Sequence, residues 1–88
     1  LVIDPASRQV TLEGSPVELS SREYAILLEL LENAGRALSR EQLEQSLYGW
    51  GDEVESNAVE VHIHHLRRKL GTELIRTLRG VGYLVDKA

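Results

Sequence analysis

The feature that most constrains this chain is a six-residue device that occurs twice. Leu19-Ser20-Ser21-Arg22-Glu23-Tyr24 and Leu38-Ser39-Arg40-Glu41-Gln42-Leu43 share one order: apolar, Ser, two residues, Glu or Gln, apolar. In such a box the serine hydroxyl accepts from the backbone amide three residues on. The Glu or Gln side chain accepts in return from the serine's own amide, and the flanking apolar pair staples the first turn. Two helix starts are therefore predicted, at Ser20 and Ser39. After the first, Tyr24, Leu27, Leu28 and Leu31 keep the helical period, and Gly35 is the predicted stop after Asn33-Ala34. The second helix is predicted to be short, with Leu43 and Leu47 on its inner side. It ends at Tyr48-Gly49-Trp50-Gly51-Asp52, where two glycines flank an aromatic in the manner of a loop.

A third helix is predicted from a cap at Ser56 to Leu70, with Gly71 as its stop. Advancing about 100° per residue brings Val59, Ile63, Leu66 and Leu70 into one buried stripe. The opposite face collects Asn57, Val61, His64, His65 and Arg68, with Arg67 and Lys69 on its flanks. Around the helices lie short strands. Leu1-Val2-Ile3, residues 9–13 and Val17-Glu18-Leu19 read as a small antiparallel sheet broken by Asp4-Pro5 and Gly14-Ser15-Pro16. Residues 74–78 and 83–85 read as a hairpin joined by Arg79-Gly80-Val81-Gly82. The predicted fold is α+β: a winged helix-turn-helix with an N-terminal antiparallel sheet, three helices and a C-terminal β-hairpin wing. All 88 residues form one domain of that kind.

Composition removes several other classes. With 42% hydrophobic and 27% charged residues the chain is globular rather than disordered. It has no cysteine, which excludes disulfides and thiolate metal sites. No apolar run approaches the roughly 18 residues of a membrane span, and no signal peptide is visible. Because the chain opens on Leu1 rather than Met, it is expected to be a piece of a longer protein. An enzyme finds little support: there is no Gly-rich phosphate loop, no paired acid and base in a plausible cleft and no nucleophile motif. No cofactor is expected.

The net charge of −4 argues against nucleic acid until its distribution is considered. Residues 1–55 carry four arginines against eleven acids, whereas residues 56–88 carry six basic side chains against three acids. A local basic face, not the whole-chain sum, is what phosphates meet. The exposed face of the third helix supplies amide, imidazole and guanidinium groups, which suit base edges, and one valine for a thymine methyl. Its flanking cations suit phosphates. Arg79, at the tip of the hairpin beside two glycines, is placed to reach a minor groove. The plain alternative for this helix is a solvated amphipathic helix with ordinary surface charge; a winged helix that binds only protein is the other. His62 and His65, three residues apart, could share a metal ion, but His64 points elsewhere and no third ligand is evident, so no metal is expected. Trp50 either packs under its loop, the favoured reading, or is presented to a partner. Tyr24 and Leu28 are predicted core, and Arg22 and Arg36 solvated.

The run from Ser56 to Gly71, Ser-Asn-Ala-Val-Glu-Val-His-Ile-His-His-Leu-Arg-Arg-Lys-Leu-Gly, followed by Ile75-Arg76-Thr77-Leu78-Arg79-Gly80-Val81-Gly82-Tyr83, resembles the C-terminal effector domain of OmpR/PhoB-type response regulators. The second capping box matches that family too, and His-His-Leu-Arg-Arg-Lys-Leu-Gly is most similar to its PmrA/QseB-like subgroup. The resemblance implies a two-component transcription factor, a phosphoprotein of the bacterial cytoplasm. Its N-terminal receiver domain would lie outside this chain, with a cognate histidine kinase as partner and a tandem head-to-tail dimer on direct-repeat promoter DNA. It places major-groove contacts on Val61 and His65, to which the helix face adds His64 and Arg68. It places phosphate contacts on Arg40, Tyr48, Asn57, His62, Arg67, Thr77 and Tyr83, and the minor-groove contact on Arg79. The loop from Gly49 to Glu55, with Trp50, Asp52 and Glu53, matches a segment that touches RNA polymerase in some members. Many members carry Arg where this chain has His64 and His65, and Trp where it has Tyr48.

Overall fold

The structure, a computed structural model, describes residues 2–4, 6–7, 9–48 and 58–86, with Tyr48 described in its backbone only. Three strands come first, β1 (Val2–Asp4), β2 (Gln9–Leu12) and β3 (Ser15–Val17). Three helices follow, α1 (Ser21–Glu32), α2 (Arg40–Tyr48) and α3 (Ala58–Leu70), and then the strands β4 (Ile75–Leu78) and β5 (Gly82–Val85). β1, β2 and β3 form an antiparallel meander; β4 and β5 form a separate hairpin. The expected order of sheet, three helices and wing is therefore present.

Both capping boxes close as their sequences require. The Ser20 amide donates to Glu23 Oε1 at 2.8 Å, and the Glu23 amide donates to the Ser20 hydroxyl at 3.2 Å. In the second box the Ser39 amide donates to Gln42 Oε1 at 2.8 Å, and the Gln42 amide to the Ser39 hydroxyl at 3.2 Å. α1 ends slightly before its expected stop. Asn33 takes the C-cap, with its side-chain amide donating to the Glu29 carbonyl, and Gly35 follows two residues later. The Ser56 cap expected for α3 lies outside the described residues.

The third strand differs from its sequence expectation. The chain reverses at Glu13-Gly14 rather than across Gly14-Ser15-Pro16, so the strand covers Ser15–Val17 and not residues 17–19. Both turn residues have positive φ, 52° at Glu13 and 82° at Gly14, which is the backbone of a two-residue hairpin turn matched to the twist of its strands. Pro16 is tolerated because β3 is an edge strand. Pro16 faces Thr11 one pair beyond the hydrogen-bonded Leu12–Ser15 pair, where no N–H is needed by β2.

The core is built mainly between helices. Ile26, Leu27 and Leu30 of α1, Leu43 and Leu47 of α2, and Val59, Ile63 and Leu66 of α3 are all but inaccessible. Val10 of β2 and Ile75 of β4 join that cluster. Tyr24 is buried as expected, and Leu28 packs against the cluster while partly exposed. Along α3 the buried residues are Val59, Ile63, Leu66 and Leu70, the stripe predicted from periodicity.

Backbone hydrogen bonds tie the wing to the segment between α1 and α2; the Gly35 amide donates to the Val85 carbonyl at 2.7 Å. The Leu38 amide donates to the Tyr83 carbonyl at 2.8 Å, and the Tyr83 amide returns a bond to the Leu38 carbonyl at 2.9 Å. Next to the Leu38–Tyr83 crossing Gly82 has φ of 151°, and a Cβ there would overlap the Leu38 carbonyl oxygen. Gly80, at the wing tip, also has positive φ, but a Cβ on it would meet open space. The comparison yields a test by urea denaturation. Gly82→Ala should cost at least about 2 kcal/mol, because unfavourable φ and backbone overlap combine, while Gly80→Ala should lose only the smaller φ cost. Equal losses would mean that the Leu38–Tyr83 crossing does not hold the wing.

Candidate nucleic-acid interface

α3 presents its polar face because its apolar stripe leaves no other orientation. Val61, His64, His65 and Arg68 are all exposed, and Val61 is one of only a few large aliphatic side chains standing in solvent among the described residues. All four expected base-reading residues therefore share one accessible helix face. The last turn of α3 carries Arg67, Arg68 and Lys69, cations that its dipole favours at that end.

Arg67 has a definite internal partner. Its guanidinium donates to the Ile75 carbonyl through Nε at 3.2 Å and Nη2 at 2.8 Å, and Nη2 also reaches the Thr77 hydroxyl at 2.7 Å. The side chain is a clamp between α3 and the first strand of the wing. It brings two expected phosphate contacts, Arg67 and Thr77, within one hydrogen bond of each other.

A cleft between the wing and the helices is lined by Arg40, Glu60, Thr77, Arg79 and Tyr83, among others. Four of the expected DNA contacts thus converge there, one from α2 and three from the wing. Arg79 is exposed at the wing tip. Arg40, at the first turn of α2, donates through Nη1 to Glu60 Oε1 at 3.2 Å, and its Nε lies 3.6 Å from Glu44. The hydrogen bond to Glu60 is the main reason its guanidinium is held even more firmly protonated than usual. Burial raises the Tyr83 phenol above its ordinary range, so it stays a neutral hydroxyl at neutral pH.

The other flank of α3 faces α1. Glu23 is buried, and its carboxylate is shared. Oε1 accepts from the Ser20 amide and from Lys69 Nζ at 2.8 Å, and Oε2 lies 3.4 Å from His65 Nδ1. Burial alone would push this carboxyl upward. The hydrogen bonds from Lys69 and Ser20 and the Lys69 charge outweigh it and hold the carboxyl below its usual range. His62 is half-buried on the same flank, and burial lowers it, favouring the neutral imidazole. Its Nδ1 has no hydrogen-bond partner among the described residues. His62 therefore stands apart from the cleft that gathers Arg40, Thr77, Arg79 and Tyr83.

Asn57, Trp50, Asp52 and Glu53 lie outside the described residues, and of Tyr48 only the helical backbone is described. Sequence reasoning missed two acids. Glu60 pairs with Arg40 across the cleft, and nothing local in the sequence marks it. Glu23 was legible only as a capping residue, though a capping carboxylate has a second oxygen to give elsewhere.

Residues 14–85 match the family described as "Transcriptional regulatory protein, C terminal". The chain is 68% identical to the response regulator protein PmrA of Pseudomonas aeruginosa, across 99% of this chain and 39% of that protein. It is 54% identical to the transcriptional regulatory protein QseB of Escherichia coli O157:H7, across 99% of this chain and 40% of that protein. It thus spans about two fifths of the length of these relatives. Among solved structures, the DNA-binding domain of Klebsiella pneumoniae RstA in complex with the RstA box superposes with a TM-score of 0.81 at 39% identity, covering 96% of this chain and 88% of that one. The chain therefore belongs to the transcriptional regulatory protein C-terminal family, the winged-helix DNA-binding domains of OmpR/PhoB-type response regulators.

Proposed function

We propose that this chain binds double-stranded DNA sequence-specifically as the output domain of a two-component response regulator. The observation that carries this reading is the shape around α3. Its face of Val61, His64, His65 and Arg68 is open to solvent, while Arg67 docks on β4 and holds the wing alongside. A solved relative with the same fold is a DNA complex. In the proposed mode α3 enters the major groove, where His64, His65 and Arg68 read base edges and Val61 meets a thymine methyl. Arg40, Tyr48, Asn57, His62, Arg67, Thr77 and Tyr83 contact phosphates, and Arg79 enters the adjoining minor groove.

Arg40 and Arg67 approach this role already engaged within the chain. Phosphate would compete with Glu60 for Arg40, whereas Arg67 would use donors left over from Ile75 and Thr77. The exposed Arg40–Glu60 pair contributes little on its own, so a phosphate can displace it cheaply. In the longer protein, an N-terminal receiver phosphorylated by a cognate histidine kinase would promote tandem head-to-tail binding on direct repeats, and the loop bearing Trp50, Asp52 and Glu53 would face RNA polymerase. A bacterial cytoplasmic setting and the absence of catalysis belong to the same proposal.

Selection of bound duplexes from a random pool tests this reading, followed by affinity measured against salt. A recovered motif is expected, with log affinity falling against log salt by about 0.9 per phosphate neutralised. Salt-independent binding, or recovery of no motif, would favour a module that binds protein instead. On the selected site, Arg79→Ala should cost about 1–3 kcal/mol where the wing meets an A·T-rich minor groove and less where it meets G·C. Equal losses at both would remove Arg79 from the groove. His65→Ala should relax preference at one base position by about 1–3 kcal/mol; a uniform loss over all sequences would make it a phosphate contact.

A further inference from the structure

Three side chains able to ligate a metal converge on the flank of α3 that faces α1. His62 and His65 are three residues apart on the helix, a spacing that places them on one face one turn apart. Across from them stands Glu23, the third residue of α1. One ligand atom from each lies within 4.8 Å of the other two. The sequence offers only the histidine pair; packing of α1 against α3 supplies the third donor.

Each group has an atom to give. Glu23 Oε1 is committed to the Ser20 amide and to Lys69, while Oε2 lies 3.4 Å from His65 Nδ1. His62 holds a buried Nδ1 without a hydrogen-bond partner among the described residues, an arrangement that a native structure ordinarily avoids. The His65 side chain is 46% exposed. Tetrahedral bonds of about 2.0–2.2 Å set ligand atoms roughly 3.3–3.6 Å apart, so the triad must close by about an ångström, a movement within reach of side-chain rotation. A cavity of about 430 Å³, lined by Glu23, His65, Arg68 and Lys69, adjoins the triad and leaves room for water in the fourth position. Two imidazoles and one carboxylate suit zinc, cobalt, nickel or copper rather than magnesium or calcium.

We propose that Glu23, His62 and His65 form a binding site for one divalent transition-metal ion of the zinc class, joining α3 to α1. Lys69 is the resident cation at Glu23, and the metal displaces it or shares the carboxylate with it. His65 is also a proposed base contact, so an ion bound here would draw it away from the groove. The site is tested on the free chain without DNA, and its failure would leave the DNA-binding reading untouched.

The experiment titrates the tag-free 88-residue chain with zinc chloride at neutral pH, against a chromophoric chelator, while NMR follows the histidine ring nitrogens. One equivalent is expected to bind, with ring shifts at His62 and His65 and none at His64. His62→Ala and His65→Ala should each weaken zinc at least tenfold, and His64→Ala should leave it unchanged. Glu23→Gln keeps a capping acceptor for Ser20 and should also weaken zinc, which separates ligation from folding. Thermal unfolding of the exposed-site variant His65→Ala should match the wild type without metal, so its loss of zinc cannot be a loss of fold. No saturable binding beyond that of the His62→Ala/His65→Ala double variant would overturn the proposal. So would a response centred on His64, which would indicate chelation by neighbouring surface histidines.

Discussion

The arrangement of this domain depends on α3 burying four aliphatic side chains along one face. Val59, Ile63, Leu66 and Leu70 pass from water into the cluster made by α1, α2 and the strand ends. Each such burial is worth about 1.5–3 kcal/mol, so the stripe supplies on the order of 6–12 kcal/mol as an upper estimate. Exposed pairs such as Arg40–Glu60 add little beside it. The rotation of α3 about its axis is therefore decided by apolar burial. Exposure of Val61, His64, His65 and Arg68 is its consequence.

Burial of Ile75 and Val85 seats the wing on the core, and local hydrogen bonds set how it lies beside α3. The reciprocal Leu38–Tyr83 bonds fasten β5 to the start of α2, and they require glycine at position 82 because its neighbour's carbonyl occupies the space of a Cβ. Arg67 fastens β4 to α3 through Ile75 and Thr77. Hydrogen bonds from a charged group to a carbonyl are worth about 1.5–3 kcal/mol, enough to fix a short hairpin that has little core of its own. One arginine thus contributes to the geometry of the interface while keeping donors near its surface. On the far flank Glu23 serves α1 as a cap and α3 as a counter-charge, so the helix is anchored on both sides.

Much of this was legible in the sequence because the signals were local. Ser20 and Ser39, with Glu23 and Gln42 three residues on, define helix starts by short-range hydrogen bonds that need no tertiary partner. The α3 stripe follows from helical period alone. The third strand was misplaced because glutamate is an uncommon residue at positive φ, so Glu13 hid half of a two-residue turn, and Pro16 looked like a break when an edge strand accommodates it. At the site, the exposed helix face was readable, but the pairings Arg40–Glu60, Arg67–Ile75 and Glu23–Lys69 were not. They join residues 20, 8 and 46 positions apart, and only packing brings them together.

Charge and shape come together at one surface. The chain is acidic overall, yet its cations gather on α3 and the hairpin, where Arg67, Arg68, Lys69, Arg76 and Arg79 lie within thirteen positions. The most direct measurement of this surface is backbone amide NMR of the 88-residue chain titrated with a selected duplex. The largest shifts are expected at residues 61–69 of α3, at 79–81 of the wing tip and at the first turn of α2, with β1 and β2 unmoved. Shifts spread evenly over the surface, or centred on the β1–β3 sheet, would contradict docking through the exposed face of α3.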